Sequence, residues 1–303
     1  MELRLESYLE ARPESRSIWK PYEHWLWQTM TLLISWIGVD THGIASAYIA
    51  ADSRVSWGEV ANFDHGRKVF AFRHSPDILG YCGDVLFPTM VLSQIAEMAD
   101  HGLLFSPNAT CKERFEAIKE KLIQQFQSYP RMIEGITADM LQVVHISRDP
   151  SNNMNFSCWL IEWKRRSGWS GRSMPMPSKS GVLFSLGSGA SEFNKNLDRY
   201  AKGADSGTSR SVFHCFCDTL FNIEDEHCGG APQLVGIYRK PSSPAITFGI
   251  IRDRRRYFLG ARIDDHADLG SVEWRNDLFE LCDGRTMKRL PEAQAQPDDL
   301  RRN

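Results

Sequence analysis

Apolar positions along the chain fall into blocks that switch between a strand-like and a helix-like period. From Thr31 to about Val39 the residues are apolar or β-branched almost without interruption, the pattern of a buried strand. Asp40-Thr41-His42-Gly43 is a turn, and Ile44 to Val55 is the returning strand. Gly66-Arg67-Lys68 leads into the short apolar run Val69-Phe70-Ala71-Phe72. Ile78-Leu79-Gly80-Tyr81-Cys82-Gly83 is a further strand, with glycines where a backbone passes close to a neighbour. Asp84 then opens a helix in which Leu86, Met90, Ile95, Met98 and Leu103 recur at roughly helical spacing. A second helix is predicted over 112–127, with Phe115, Ile118, Leu122 and Phe126 on one face. Strands follow at 140–146, 154–163 and 182–186, helices at 191–200 and 209–223, and strands at 234–239, 245–251 and 257–263.

Between the blocks lie segments without period. Residues 1–30 are charged and then rich in aromatics (Trp19, Tyr22, Trp25, Trp27), and form an appendage. Lys164 to Lys179 is a basic stretch of Gly, Ser and Pro, long enough to suggest a mobile or functional loop. Grouped strands alternating with paired helices indicate an α+β fold rather than alternating βαβ units. They suit two sheets packed together and covered on both faces by helices. The expected organisation is one domain over 31–284, preceded by a leader, propeptide or mis-assigned start at 1–30 and followed by a polar, frayed tail at 285–303.

Composition narrows the function classes. Hydrophobic residues make up 42% and charged residues 24%, an ordinary globular balance. A formal net charge of -2 gives no electrostatic case for nucleic acid or an anionic membrane as partner. The run Arg252-Asp253-Arg254-Arg255-Arg256 reads as a strand end or turn. The seven cysteines lack the paired spacing of a zinc site. In His214-Cys215-Phe216-Cys217 the two cysteines sit two positions apart on a predicted helix, so they point to different faces. They read as small buried side chains, and neither a metal nor a cofactor is expected. This cysteine usage fits a reducing, cytoplasmic location. The apolar stretch from Trp25 to Val39 is interrupted by Gln28, Thr29 and Thr31 and is too short to span a bilayer. Ala45-Ser46-Ala47 has the look of a signal-peptidase site, but the preceding segment mixes acids with bases, unlike a cationic leader.

Candidate chemistry lies at the strand ends. Thr31 opens a strand, Asp52 and Arg54 follow the next one, and Lys68 starts another. A threonine hydroxyl is a poor nucleophile unless a base takes its proton. As the first residue of a mature chain, Thr31 would supply that base from its own α-amine, whose ordinary pKa is near about 8. A neighbouring lysine ammonium disfavours protonation of the amine. Asp52 can hold the lysine by a charge-assisted hydrogen bond. Each residue alone reads as structural; the ordered set is what points to amide hydrolysis. Ser188, in Leu-Gly-Ser-Gly-Ala, does not fit the G-x-S-x-G pattern of a serine hydrolase.

With these residues in place, the chain resembles proteasome β-type subunits and bacterial proteasome-like threonine peptidases of the N-terminal nucleophile hydrolase superfamily. Thr-Leu-Leu-Ile-Ser at 31–35 is similar to the mature start of that family. Ala50-Ala51-Asp52-Ser53-Arg54 is similar to its AADSR strand end, and Gly66-Arg67-Lys68-Val69-Phe70 to its RKIF segment. Ile78 to Asp84 is similar to its AGxxGD turn, Gly187-Ser188-Gly189 to its GSG, and Asp225 to Gly230 to its DxxSGG. The resemblance spans about 31–251. It implies a four-layer αββα sandwich, assembly into homo-oligomeric rings, a peptide or unfolded-protein substrate and an ATPase unfoldase as partner. It implies Thr31 as nucleophile, with Asp52, Lys68, Ser188, Asp225 and Cys228 around it, Arg54 in support and the Gly80 N–H as oxyanion donor. It also implies a substrate pocket at Val55, Ile78, Cys82 and Leu86, whose apolar character points to cleavage after hydrophobic residues.

Three positions depart from the family. Residues 1–30 precede the threonine, Met30 stands where self-processed members carry glycine, and Cys228 replaces a serine. Two routes to a free Thr31 amine are open: initiation at Met30 with removal of that methionine, or self-cleavage by attack of the Thr31 hydroxyl on the Met30 carbonyl. Two other functions are also open. One is a catalytically silent structural or interaction subunit; the other is an amidase on a small substrate.

Overall fold

The computed structural model describes residues 31–57, 60–130, 139–152, 154–203, 205–264 and 268–295. The expectations for 1–30 and for the end of the polar tail, 296–303, lie outside the described residues.

The first sheet is built on a hairpin, β1 (Leu33–Asp40) and β2 (Gly43–Ala51), joined at the expected turn. A second hairpin, β3 (Val55–Trp57) with β4 (Ala61–Phe63), projects after it. Then come β5 (Val69–Ala71) and β6 (Asp77–Gly83). Helix α1 (Leu86–Asp100) starts where the Asp84 carboxylate accepts the Phe87 N–H, at 3.0 Å. Helix α2 (Cys111–Gln127) starts at a capping box, in which Thr110 and Glu113 satisfy each other's backbone N–H groups. The strands β7 (Met140–Arg148), β8 (Phe156–Lys164) and β9 (Gly168–Met174) form a meander. After β10 (Gly181–Leu186) come α3 (Ala190–Tyr200) and α4 (Ser209–Asn222), the latter capped by the Thr208 hydroxyl. The chain closes with β11 (Gln233–Tyr238), β12 (Ile246–Thr247), β13 (Gly249–Arg252), β14 (Arg255–Phe258), β15 (Ala261–Ile263), β16 (Trp274–Asn276) and β17 (Leu281–Cys282).

The fold is α+β, with four helices among the described residues and several largely antiparallel sheets. One sheet has the order β10-β1-β2-β11-β12, and another the order β5-β6-β7-β8-β9. Alternate residues of β1 explain its nearly continuous apolar run, since both faces are buried. Leu33 and Ile37 face the second sheet, where they share a core with Ile78, Val144, Ile146 and Leu160. Leu32, Ile34 and Trp36 face Phe193 of α3 and Phe213, Phe216 and Leu220 of α4. The opposite face of the second sheet, with Phe70, Leu79, Leu141 and Trp163, packs on α1 and α2. Cys215 and Cys217 are both buried in the α4 core, small side chains among aromatics such as Trp36, Phe213 and Phe216. No helix among the described residues is long and apolar enough to cross a membrane.

Three segments differ from the sequence expectation. The middle of the basic stretch after Lys164 is strand, not loop: β9 pairs with β8 along its whole length. It is an edge strand with exposed polar residues, a composition that discourages pairing with a second chain and hides the strand period. The β3–β4 hairpin was not anticipated, nor was the separate sheet β15-β14-β13-β16-β17 near the C-terminus. The arginine-rich run is the turn of its β13–β14 hairpin, with Asp253 and Arg254 at φ 50° and 55°, the positive values that a tight two-residue turn requires.

Candidate functional site

Thr31 lies two residues before β1, Asp52 immediately after β2, and Lys68 immediately before β5. The antiparallel pairing of β1 with β2 brings Leu33 opposite Ala51, so Thr31 and Asp52 emerge side by side from the same end of one sheet. Lys68 reaches them from the other sheet. Its Nζ donates to Thr31 Oγ1 at 2.9 Å and to Asp52 Oδ1 at 2.7 Å. The side chains of both Lys68 and Asp52 are wholly buried.

The Asp52 carboxylate is saturated. Oδ1 also accepts the Leu32 N–H, and Oδ2 accepts the N–H groups of Arg54 and Gly229, each at 3.1 Å. A buried carboxylate requires such compensation. The arrangement allows one function for Asp52: it anchors the lysine and ties β1 to the 225–230 turn.

Arg54 clasps the same turn from outside. Its guanidinium pairs bidentately with Asp64, at 2.7 and 2.9 Å, and its Nη1 donates to the carbonyl of Glu226. The hydrogen bond from Arg54 holds Asp64 below the ordinary carboxylate range.

Ser188, Cys228 and Asp225 form a second polar group next to Thr31. The Ser188 hydroxyl is 3.6 Å from Cys228 Sγ, which in turn donates to Asp225 Oδ2 at 3.5 Å. Burial pushes Asp225 upward, but hydrogen bonds from Ser188, the His227 N–H and the Cys228 thiol outweigh it and leave the carboxyl below its ordinary value. Burial pushes the Cys228 thiol up. The turn carrying Ser188 wraps the Thr31 carbonyl, which accepts the Gly189 N–H at 3.3 Å. Gly187 makes this approach feasible: it has φ 92°, and a Cβ there would lie 1.9 Å from the Thr31 oxygen.

The remaining sequence candidates lie on β3, β6 and α1. Gly80 is mid-strand in β6, in register with Val69 on one side and Val144 on the other. N–H groups of a central strand point along the sheet to its neighbours. Its lack of a side chain lets the two sheets close: a Cβ would lie 2.6 Å from Ile49. Ile78 and Cys82 belong to the core between the sheets, and burial pushes the Cys82 thiol up to about 12. Val55 is half-buried on β3, and Leu86 is exposed at the start of α1. Ile78 and Cys82 are wholly buried, and Cys82 Sγ lies against the Gly187 turn beside Thr31. A cavity of about 450 Å³ is lined by Gly38, Val39, Ser180, Arg210, Arg275 and Phe279, at the far end of β1 from Thr31. Eight residues of strand put it roughly 25 Å from the hydroxyl.

The sequence reading missed Gln233, the first residue of β11. Its wholly buried side chain touches the backbone of Asp52, Gly66 and Lys68. The available signal was a polar residue at the head of the apolar run Leu234 to Tyr238, just after the Gly229-Gly230 pair. No group of three or more potential metal ligands occurs among the described residues.

Neither protein-family models nor curated protein sequences give a match to the chain. Solved structures do. A Gly-1 mutant of Anbu from Hyphomicrobium sp. strain MC1 is 13% identical over 76% of this chain and 88% of its own, with a TM-score of 0.47. Anbu (ancestral beta-subunit) from Yersinia bercovieri is 11% identical over 71% and 86%, with a TM-score of 0.48. Anbu from Pseudomonas aeruginosa, described as a helical assembly of the Anbu complex, is 11% identical over 79% and 89%, with a TM-score of 0.50. The last bears on fold, and at that identity on fold alone. The Pseudomonas aeruginosa structure corrects the resemblance drawn from the motifs. The chain is similar to Anbu proteins, at a distance, and is not placed among the catalytic proteasome β-type subunits. Short motifs at strand ends and turns encode backbone geometry that distant folds can share.

Proposed function

We propose that this chain is an N-terminal-threonine peptidase, with Thr31 as nucleophile once residues 1–30 have been removed. One observation carries the reading: Lys68 Nζ bridges the Thr31 hydroxyl and the Asp52 carboxylate in a buried site. In this reading the freed Thr31 amine takes the hydroxyl proton, the Oγ1 attacks the substrate carbonyl, and the leaving amine recovers the proton. Lys68, held by Asp52, keeps the amine from being permanently protonated. Hydrolysis of the ester so formed returns the threonine. The two sheets with their helix pairs are read as the αββα sandwich of N-terminal nucleophile hydrolases. Self-assembly is part of the proposal, supported by the helical assembly described for the Pseudomonas protein. The test is hydrolysis of a fluorogenic peptide by the full chain, with the mature N-terminus read by intact mass. Hydrolysis that Thr31→Ala abolishes supports the reading; hydrolysis that Thr31→Ala leaves unchanged overturns it.

A second reading, a catalytically silent subunit, is favoured by the burial of Thr31, which is 1% exposed. An intact mass that retains residues 1–30 in the assembled protein, together with no peptide turnover, would establish it.

A further inference from the structure

We propose that Gln233 is a positioning residue that sets the meeting of Lys68 with Thr31; the proposal rests on the reading of Thr31 as nucleophile. The charged pair is delivered by two different sheets, Asp52 from the end of β2 and Lys68 from the start of β5. Something must fix the distance between those sheet ends, because Lys68 has to satisfy Asp52 and Thr31 together. The Gln233 backbone belongs to the first sheet, in ladder register with Ala51. Its side chain crosses to the second.

Three hydrogen bonds fix this crossing. Nε2 donates to the Asp52 carbonyl at 3.0 Å and to the Gly66 carbonyl at 2.7 Å. Oε1 accepts the Lys68 N–H at 3.1 Å. The amide orientation follows from its partners, since the flipped amide would set its oxygen against two carbonyls. Lys68 sits just before an edge strand, where one side of the backbone has no ladder partner. Gln233 supplies that partner. Tyr81 completes the hold: its N–H donates to the Lys68 carbonyl and its hydroxyl to the Arg67 carbonyl, each at 3.1 Å. The backbone of Lys68 is therefore pinned from both sheets, and Asp52 is pinned by the same glutamine.

The test compares full-length Gln233→Glu and Gln233→Met with the unsubstituted chain. Glutamate keeps the shape and the acceptor but loses both donors; methionine keeps the reach and loses every hydrogen bond. Folding is checked by circular dichroism, and turnover is counted per active site by burst titration. In both variants kcat is expected to fall roughly 100-fold, the scale of an ångström-level misplacement. KM is expected to stay within about threefold, with a displaced pH–rate profile, because substrate binding is untouched. A kcat per active site and a pH profile equal to those of the unsubstituted chain in either folded variant overturn the proposal and leave the nucleophile reading standing. Activity lost only through a smaller folded fraction also overturns it. Absence of Thr31-dependent hydrolysis in the unsubstituted chain overturns the nucleophile reading itself, and the positioning role with it.

Discussion

The carboxylate of Asp52 accepts the N–H of Gly229, 177 residues further along the chain, at 3.1 Å. With the Ser53 and Arg54 N–H groups, which donate to the Gly229 carbonyl, that bond joins the end of the first hairpin to the turn carrying Asp225 and Cys228. With the N–H groups of Leu32 and Arg54 and the Lys68 ammonium, it gives the carboxylate four donors.

Lys68→Met is expected to lower Thr31-dependent hydrolysis by about 100-fold or more, the scale of a general base left protonated. It also strands the buried Asp52 charge, which costs on the order of 3–5 kcal/mol. Adding Asp52→Asn should recover part of that stability and none of the activity. Urea unfolding and peptide turnover, measured on the single and double variants, separate the two effects.

The Cys228 thiol, raised by burial, holds little thiolate at neutral pH. Cys228 and Cys82 are expected to resist iodoacetamide in the folded protein and to react once it is unfolded in urea. Cys228→Ser replaces a weak hydrogen-bonding group by a strong one between Ser188 and Asp225. It should hold or raise the melting temperature, whereas Cys228→Ala should lower it. Rapid alkylation of Cys228 in the folded state would contradict the buried, uncharged thiol.

Asp64 and Asp225 both lie below the ordinary carboxylate value when folded. A depressed folded pKa stabilises above the unfolded value, near about 4, and that stabilisation is lost as pH falls through the folded one. The melting temperature is therefore expected to drop as pH is lowered from about 5 to about 3. Asp64→Asn should flatten that drop. Parallel curves for the two proteins in scanning calorimetry would remove Asp64 as a contributor.

Gly187→Ala and Gly168→Ala form a matched pair. Both glycines have positive φ, 92° and 74°, but a Cβ meets the Thr31 oxygen at the first and nothing within 4 Å at the second. Gly168→Ala is expected to cost about 1–2 kcal/mol from backbone strain. Gly187→Ala should cost clearly more and should also displace Thr31, so that stability and turnover fall together. Equal losses in urea unfolding would show that the contact with Thr31 is relieved without consequence.

Legibility in the sequence followed element length and burial. Strands β1 and β2 and all four helices have long, regular apolar patterns, and their expected and observed bounds differ by a few residues. Strands of two or three residues, such as β4, β16 and β17, are too short to show a period. Edge strand β9 is polar on its exposed face and carries two glycines, which made it read as a loop. At the site, Asp52 and Lys68 were legible because charged residues at the ends of apolar runs stand out. Gln233 was not, because its role lies in which backbone groups it touches, and those come from segments some 165 to 181 positions away. Gly80 was read for its N–H, while what its position displays is the close approach of two sheets.

The split of Asp52 and Lys68 between two sheets carries a consequence for biosynthesis. A chain with only one sheet formed has the carboxylate without the ammonium, or the reverse. The reactive trio cannot exist until the sheets have docked and Gln233, arriving late in translation, has closed the gap between them. In the proposed peptidase, this order of assembly keeps an unfinished chain harmless to itself and to its neighbours.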